Sequence, residues 1–366
     1  MSQVTVVGAG IGGLATAIAF TRIGWQVQVL ERAPALTVPG AGLSLWPNAL
    51  RALDALGIGD QVRARAREDG SAGIRDSRGA WLSTFDVPAL KARYGLPIMV
   101  HRADLLDILR HAIPAGSVRT GVTVTEARGD GTVTHSAGES RADLVVGADG
   151  INSVVRRAVA GTVRPVYAGY TAWRVIVTPK RPITDLGETW GRGLRFGYAA
   201  LADDRVYCFG VANRPEGAPS TGLAELRDLF AGWHDPIPAL LADADPAAVL
   251  HHDIYRLPDL RTFVAGRIAL LGDAAHAMSP NLGQGACQAL EDAVVLARIA
   301  TDSGDLARYD LARRPRTRMI AARSDRLGTV GQLSARPVVA ARDAVMRLIP
   351  PAAQFRALAP VLDWEP

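Results

Sequence analysis

Gly8, Gly10 and Gly13 stand in a G-x-G-x-x-G spacing between a β-branched run at residues 4–7 and a helix-period segment at 14–23, which Gly24 ends. Residues 27–30 then alternate like a strand, and Glu31 closes it. Glycine at those three places permits a tight turn and close backbone approach, and the helix N-terminus faces a pyrophosphate. A carboxylate about 20 residues on accepts hydrogen bonds from ribose hydroxyls. Together these features predict a βαβ unit of an α/β, Rossmann-like domain that binds a dinucleotide. The acid at Glu31 repels a 2′-phosphate, which favours FAD or NAD over NADP.

Two further segments repeat the pattern of a buried strand followed by a carboxylate. Asp143-Leu-Val-Val-Gly-Ala-Asp149-Gly150 places Asp149 at a strand's carboxyl end, where α/β sheets bind ligands. Alone, Asp-Gly is turn chemistry; beside the first motif it is a second grip on the same cofactor. Gly272-Asp273-Ala-Ala-His276 follows the apolar residues 268–271, and Pro280-Asn-Leu-Gly283-Gln-Gly285 starts a long helix. Asp273 is placed to bond ribityl or ribose hydroxyls. The free amides of the Gly283 to Gly285 turn and the positive helix end face the place where a reduced flavin gathers negative charge.

Between these motifs the pattern changes. Residues 40–42 form a Gly-rich loop leading to Trp46-Pro47-Asn48 and a helix through Leu56, and residues 70–100 suggest short strands joined by turns such as Ser77-Arg78-Gly79. Arg102 starts a helical segment, and Gly129-Asp130-Gly131 marks a hairpin. Residues 162–261 are rich in strands, with 175–178, 194–201 and 205–211 the clearest, which predicts a mostly antiparallel sheet. The expected division is a discontinuous FAD-binding domain at 1–69, 98–161 and 262–325, a substrate domain at 70–97 and 162–261, and C-terminal helices at 326–366.

Composition narrows the class. Of 366 residues, 48% are hydrophobic and 21% charged, which is ordinary globular material. No basic leader precedes the first strand, and no apolar stretch is long enough to span a bilayer, so a cytoplasmic protein without stable membrane insertion is expected. Cys208 and Cys287 are the only cysteines and lack metal-ligand spacing, so packing is their expected role and no metal is expected. The net charge of +5 lies in the tail, where ten arginines from Arg313 onward face four acids. A solvated helix face explains such a tail, and no nucleic-acid partner is expected. His251-His252 and His234 lack a third ligand, and His276 reads as a structural hydrogen-bonding residue. Gly191, Gly193 and Gly197 imitate a nucleotide loop without a βαβ unit around them, and strand-edge flexibility accounts for them.

With all three motifs in order, the chain resembles the group A flavoprotein monooxygenases, the family of hydroxybenzoate, salicylate and urate hydroxylases. The resemblance runs from about residue 3 to 325 and, at residues 42–48 and 170–174, is to the salicylate- and urate-hydroxylase-like branch. It implies FAD contacts at Gly12, Glu31, Arg32, Ser44, Arg102, Val124, Asp273, Gly283, Gln284, Gly285, Ala286 and Cys287, with Pro280 in the same motif. Arg102 alone can pair directly with a phosphate. The resemblance further implies that NADH or NADPH visits and reduces the flavin, and that O2 then yields a C4a-hydroperoxide. This oxygenates an electron-rich aromatic or heteroaromatic small molecule. The oligomeric state stays open, a homodimer included.

Substrate contacts are expected from the strand-rich part. Arg195, to hold an acidic substrate, and Tyr207, to hydrogen-bond it, resemble an Arg and a Tyr used by urate-hydroxylase-like members. Trp173, Arg174 and Tyr198 are weaker candidates. Register decides: a two-residue turn at Asp203-Asp204 puts Arg195 and Tyr207 on opposite faces, and a three-residue loop puts them on the same face. The helices at 336–348 and 352–362 mix apolar and basic positions, a pattern open to capping the substrate cavity, pairing subunits or touching a membrane, with capping the favoured reading. Rival readings are a flavin reductase or dehydrogenase that never activates oxygen, and a nucleotide- or anion-binding protein without catalysis.

Overall fold

Val4, Val6 and Val7 are buried in the first strand, Gln3–Val7, as a near-continuous apolar run between two covered faces requires. The computed structural model describes residues 2–36, 40–70, 73–183 and 186–366. Gln3–Val7 is central in a six-stranded sheet ordered Val264–Ala265, Ile268–Leu270, Leu144–Gly147, Gln3–Val7, Gln26–Leu30 and Val118–Arg119. All pairings in it are parallel except that of Val264–Ala265. The helices Ile11–Arg22 and Gly285–Asp302 pack on one another, and Gly12 lets them approach. A Cβ there would stand 2.7 Å from Leu271 Cδ1 and 3.2 Å from Ala289 Cβ.

The second large sheet is ordered Leu250–Arg256, Val166–Val177, Val206–Asn213, Leu194–Ala200, Gly187–Trp190, Gly73–Asp76 and Trp81–Thr84. It is antiparallel apart from one parallel pairing, between Gly187–Trp190 and Gly73–Asp76. One face carries Trp173, Val175, Phe196, Tyr198 and Cys208 into a core shared with the helices Leu223–Phe230 and Ile237–Asp243. Two small sheets complete the fold, a hairpin meander of Val124–Ala127, Thr132–His135 and Gly138–Arg141, and a patch of Gly42–Leu45, Ile98–His101 and Ala66–Glu68.

Four helices depart from the expected pattern. Residues 87–94, within the segment expected as strands, form the helix Val87–Tyr94, whose start Asp86 caps by accepting from Ala89 N–H at 2.9 Å. The helices of residues 223–230 and 237–243 were hidden in the strand-rich region, although Leu223, Leu226 and Phe230 repeat at helical spacing. The helix Leu306–Gly331 runs unbroken across the expected boundary at 325/326, so the separate C-terminal helices begin instead at Arg336, as Arg336–Leu348 and Pro351–Leu362. Among the described residues no helix is long and apolar enough to cross a membrane.

Candidate active site

The carboxyl ends of the parallel strands and the uncovered face of the seven-stranded sheet enclose one cavity of about 1370 Å³. Gly10 and Gly12 of the first motif line it, with Ala148 and Gly150 of the second and Asp273, Pro280, Gly283, Gly285 and Ala286 of the third. Ser44 and Arg102 join them. Three segments far apart in sequence therefore meet on one wall, because each follows an adjacent strand of the same sheet.

The glycines of the first motif differ in what they do. Gly8 has φ of +102°, and a Cβ on it would overlap the Ala148 carbonyl, so it is the crossing point of the first and second motifs. A Cβ on Gly13 would overlap the Gly8 carbonyl. Gly10 is the opposite case, with no atom within 4 Å of where its Cβ would stand. Glu31 accepts from Ala9 N–H at 2.7 Å and Ala33 N–H at 2.8 Å, which fixes its carboxylate against the glycine turn. Arg32 is exposed and Val124 is buried in its strand, and neither lines the cavity.

Asp149 has internal partners. Its carboxylate accepts from Ser153 Oγ at 2.5 Å, Val154 N–H at 2.6 Å and Val155 N–H at 3.2 Å. The side chain caps its own loop, and the flanking Ala148 and Gly150 take its place on the cavity wall.

The third motif rests on a buried polar network that the sequence reading did not foresee. Asp292 accepts from Gly272 N–H at 2.9 Å and lies 2.6 Å from His276 Nε2, fixing the turn that presents Asp273. Arg313 donates to Asp292 and Glu291, both at 2.6 Å, while Arg316 and Asn48 donate to Glu291 at 2.7 and 2.6 Å. Glu291, Asp292 and Arg313 are all buried. Their signal was two adjacent acids followed directly by the apolar run of residues 293–297, with an arginine 21 residues beyond Asp292. Asp273 itself faces the cavity, and the surrounding protein raises its carboxyl above the usual range, with His276 and Arg102 opposing. Arg102 is lowered by the same desolvation.

Helical periodicity turns the Gln284 and Cys287 side chains inward, while Gly285 and Ala286 face the cavity. Gln284 accepts from Asn48 at 3.0 Å. Cys287 is pushed up to about 12 by burial, and Cys208, also fully buried, is raised by the same cause. Neither thiol should react with Ellman's reagent at pH 8 until the chain is unfolded; a fast-reacting equivalent in the native protein would contradict this packing.

Opposite this wall, register brings Arg195 and Tyr207 to one face. Arg195 pairs with Val211 and Tyr207 with Ala199. The loop has three residues, Ala202, Asp203 and Asp204, closed by Leu201 N–H donating to Arg205 O at 2.7 Å. Asp203 and Asp204 have φ of 58° and 57°, a region aspartate tolerates. The two candidates stand four positions apart along the ladder, about 13 Å.

Their environments differ. Arg195 is 3% exposed and donates to Gln332 at 2.9 Å and Asn281 at 2.7 Å, with Glu188 at 3.4 Å. Internal partners thus already hold the guanidinium expected to grip an acidic substrate. Tyr207 lies against Gly42, where any Cβ would overlap its ring. Burial raises its phenol, which the charge and hydrogen bond of Arg174 oppose. Arg174, a weaker candidate, makes no ion pair with a carboxylate among the described residues and lines the cavity near Arg102 and His252. Trp173 belongs to the core on the other face, and Tyr198 packs in that core while also lining the cavity. Gly197, expected as strand-edge flexibility, instead makes room for the Phe209 ring.

The C-terminal helices close the cavity with Met346, Ile349, Leu358 and Val361. Arg51 donates to the Leu362 carbonyl and, at 2.7 Å, to that of Trp364, and Arg316 to those of Pro360 and Val361 at 3.0 and 2.7 Å. Arginines at this carbonyl end favour the helix dipole.

The model of a protein family described as an FAD binding domain matches residues 1–323. An aurachin C monooxygenase/isomerase of Stigmatella aurantiaca is 38% identical over 359 residues, 94% of each chain. An FAD-dependent urate hydroxylase of Klebsiella pneumoniae is 34% identical over 316 residues, 82% of each. The crystal structure of Klebsiella pneumoniae HpxO complexed with FAD and uric acid is similar with a TM-score of 0.91 at 30% identity, covering 99% of this chain and 96% of that one.

Proposed function

The chain belongs to the group A flavoprotein monooxygenases that carry this FAD binding domain, and we propose that it hydroxylates an electron-rich aromatic or heteroaromatic small molecule with NADH or NADPH and O2. The observation that carries this reading is the single cavity walled on one side by the three motifs and on the other by Arg174, Arg195 and Tyr207.

The residues present fit FAD. Gly10 and Gly285 face the cavity with nothing within 4 Å of an added Cβ, leaving room for close backbone approach. The amides of Gly285, Ala286 and Cys287 precede the first bond of their helix, made by Gln288 N–H to Gln284 O at 2.8 Å. Among pockets for drug-sized ligands, roughly 300–1,000 Å³ is usual, so this cavity has room for FAD and a substrate together. When bound, FAD accepts a hydride from the nicotinamide and transfers one oxygen atom of O2 to the substrate ring.

The chain's own residues do the rest. The Gly8 to Gly13 turn and the Ile11–Arg22 N-terminus take the pyrophosphate, with Arg102 as the phosphate partner and Glu31 and Asp273 accepting from hydroxyls. Ser44, Pro280 and Gly283 flank the flavin, and the amides of the Gly285–Asp302 helix stabilise charge on its electron-rich state. Arg32 and Val124 remain outer contacts of the same cofactor. Tyr207 donates its phenol O–H to the substrate, and Arg174 holds its anionic edge. Arg195 acts as a positioning residue, tying Asn281 in the third motif to the sheet. The two large sheets support dividing the chain into a cofactor half and a substrate half of 70–97 and 162–261.

The test is direct. Purified protein should be yellow, and a matching substrate should accelerate NAD(P)H oxidation while one atom of ¹⁸O2 appears in the product. Oxidation without labelled product would make the protein a flavin reductase instead. Tyr207→Phe is expected to lower kcat/KM roughly tenfold, the equivalent of ~1.4 kcal/mol, and to lower the product formed per NAD(P)H. An unchanged ratio and rate would remove Tyr207 from the site.

A further inference from the structure

One stretch of the cavity wall comes from elements that carry none of the three motifs, and most of its residues are apolar; Arg323 and Arg326 also line it, Arg323 donating to the Ala357 carbonyl at 2.6 Å. Leu90 and Leu96 lie on and just after the helix Val87–Tyr94, Leu327 on the helix Leu306–Gly331, and Met346 and Leu358 on the two C-terminal helices. The helices Val87–Tyr94 and Pro351–Leu362 are fastened together, with Tyr94 Oη donating to Asp363 at 2.6 Å and the Tyr94 and Phe355 rings 5.8 Å apart. Ser83 Oγ donates to Gln354 Oε1 at 2.7 Å, while Gln354 Nε2 is buried without a partner. The wall reaches the surface at Ile349, which lines the cavity and is still 41% exposed. Beside it Leu348 is 80% exposed and Val345 59%, so apolar surface continues outward from the opening.

A small polar ring would leave this wall wet, at a cost that grows with apolar area. Resting on the proposed monooxygenase reading, we infer that the substrate is an aromatic ring bearing a hydrocarbon chain. The ring lies against Arg174 and Tyr207, and the chain runs along the wall of Leu90, Leu327, Met346 and Leu358 toward Ile349. The polar end of the ring is thereby oriented by the sheet and its apolar end by the C-terminal helices. Chain length then sets affinity, and the ring chemistry sets reactivity.

The probe is a series of 4-n-alkylphenols from methyl to nonyl, with dissociation constants measured on the FAD-loaded protein by calorimetry and hydroxylation followed alongside. Affinity is expected to rise by about fourfold per methylene until the chain reaches the opening. In Leu358→Asn, and separately in Leu90→Asn on the facing helix, that gain should fall below about twofold per methylene. If one variant fails to fold, the other and the parent's own slope still decide. A flat series, or no binding at any length, overturns the inference. A flat series on protein that still hydroxylates chain-free aromatic acids would do so while leaving the proposed activity intact.

Discussion

A Gly10→Ala variant is expected to fold as well as the parent protein and to lose FAD, with an affinity lower by up to about 100-fold. Gly10 has φ −74° and ψ −176°, an extended conformation that alanine adopts without strain, and its Cβ would meet no protein atom. Any penalty must therefore come from whatever lies against it in the cavity. Overpacking by one methyl group is worth about 1–3 kcal/mol, which is the range given. Gly13→Ala is the informative contrast, because its Cβ would overlap the Gly8 carbonyl and damage the turn whether or not flavin is present. Flavin titration and thermal unfolding of both variants separate the effects. Undiminished FAD affinity in Gly10→Ala would mean that the pyrophosphate lies elsewhere.

The largest effect on stability is expected from Arg313→Met, a loss of about 3–5 kcal/mol at neutral pH. The substitution leaves Glu291 and Asp292 buried with one cationic partner fewer; Arg316 still reaches Glu291 at 2.7 Å, but nothing replaces the 2.6 Å bond to Asp292. The pH dependence carries the signature. Burial alone would raise the Asp292 carboxyl, but His276 and Arg313 more than offset it and hold it at about 2. Its folded value is thus depressed, so its contribution is fully present above the unfolded value near 4 and is lost as pH falls toward 2. Without Arg313 the carboxyl rises, so the gap between variant and parent should narrow under mild acid. Denaturant unfolding across pH checks this, and a variant within about 1 kcal/mol of the parent at pH 7 would refute the role assigned to Arg313.

The cofactor wall was legible because its chemistry is local. A strand, a glycine turn and a helix start within about a dozen residues dictate a backbone conformation, and three such units announce a shared ligand. The same locality hides which side chains take internal partners. Asp149 follows a strand as a ligand would, yet its own loop supplies the O–H of Ser153 and the N–H groups of Val154 and Val155. Gln284 and Cys287 sit in the right motif, but helical rotation directs them inward. Arg195 and Tyr207 were equal candidates by spacing, and only their partners distinguish them, since Asn281 and Gln332 come from elements distant in sequence.

Local pattern by itself determined the class of fold, the cofactor that fits it and the order of its three contact segments, because backbone turns and strand burial are encoded over short stretches. Tertiary structure alone decided the register that puts Tyr207 beside Arg174, the buried Asp292–Arg313 support beneath Asp273, and the apolar wall contributed by the last two helices. Those features depend on charges and surfaces brought together across 20 to 270 residues, and only the desolvation and packing of the folded chain select among the pairings that the sequence leaves open.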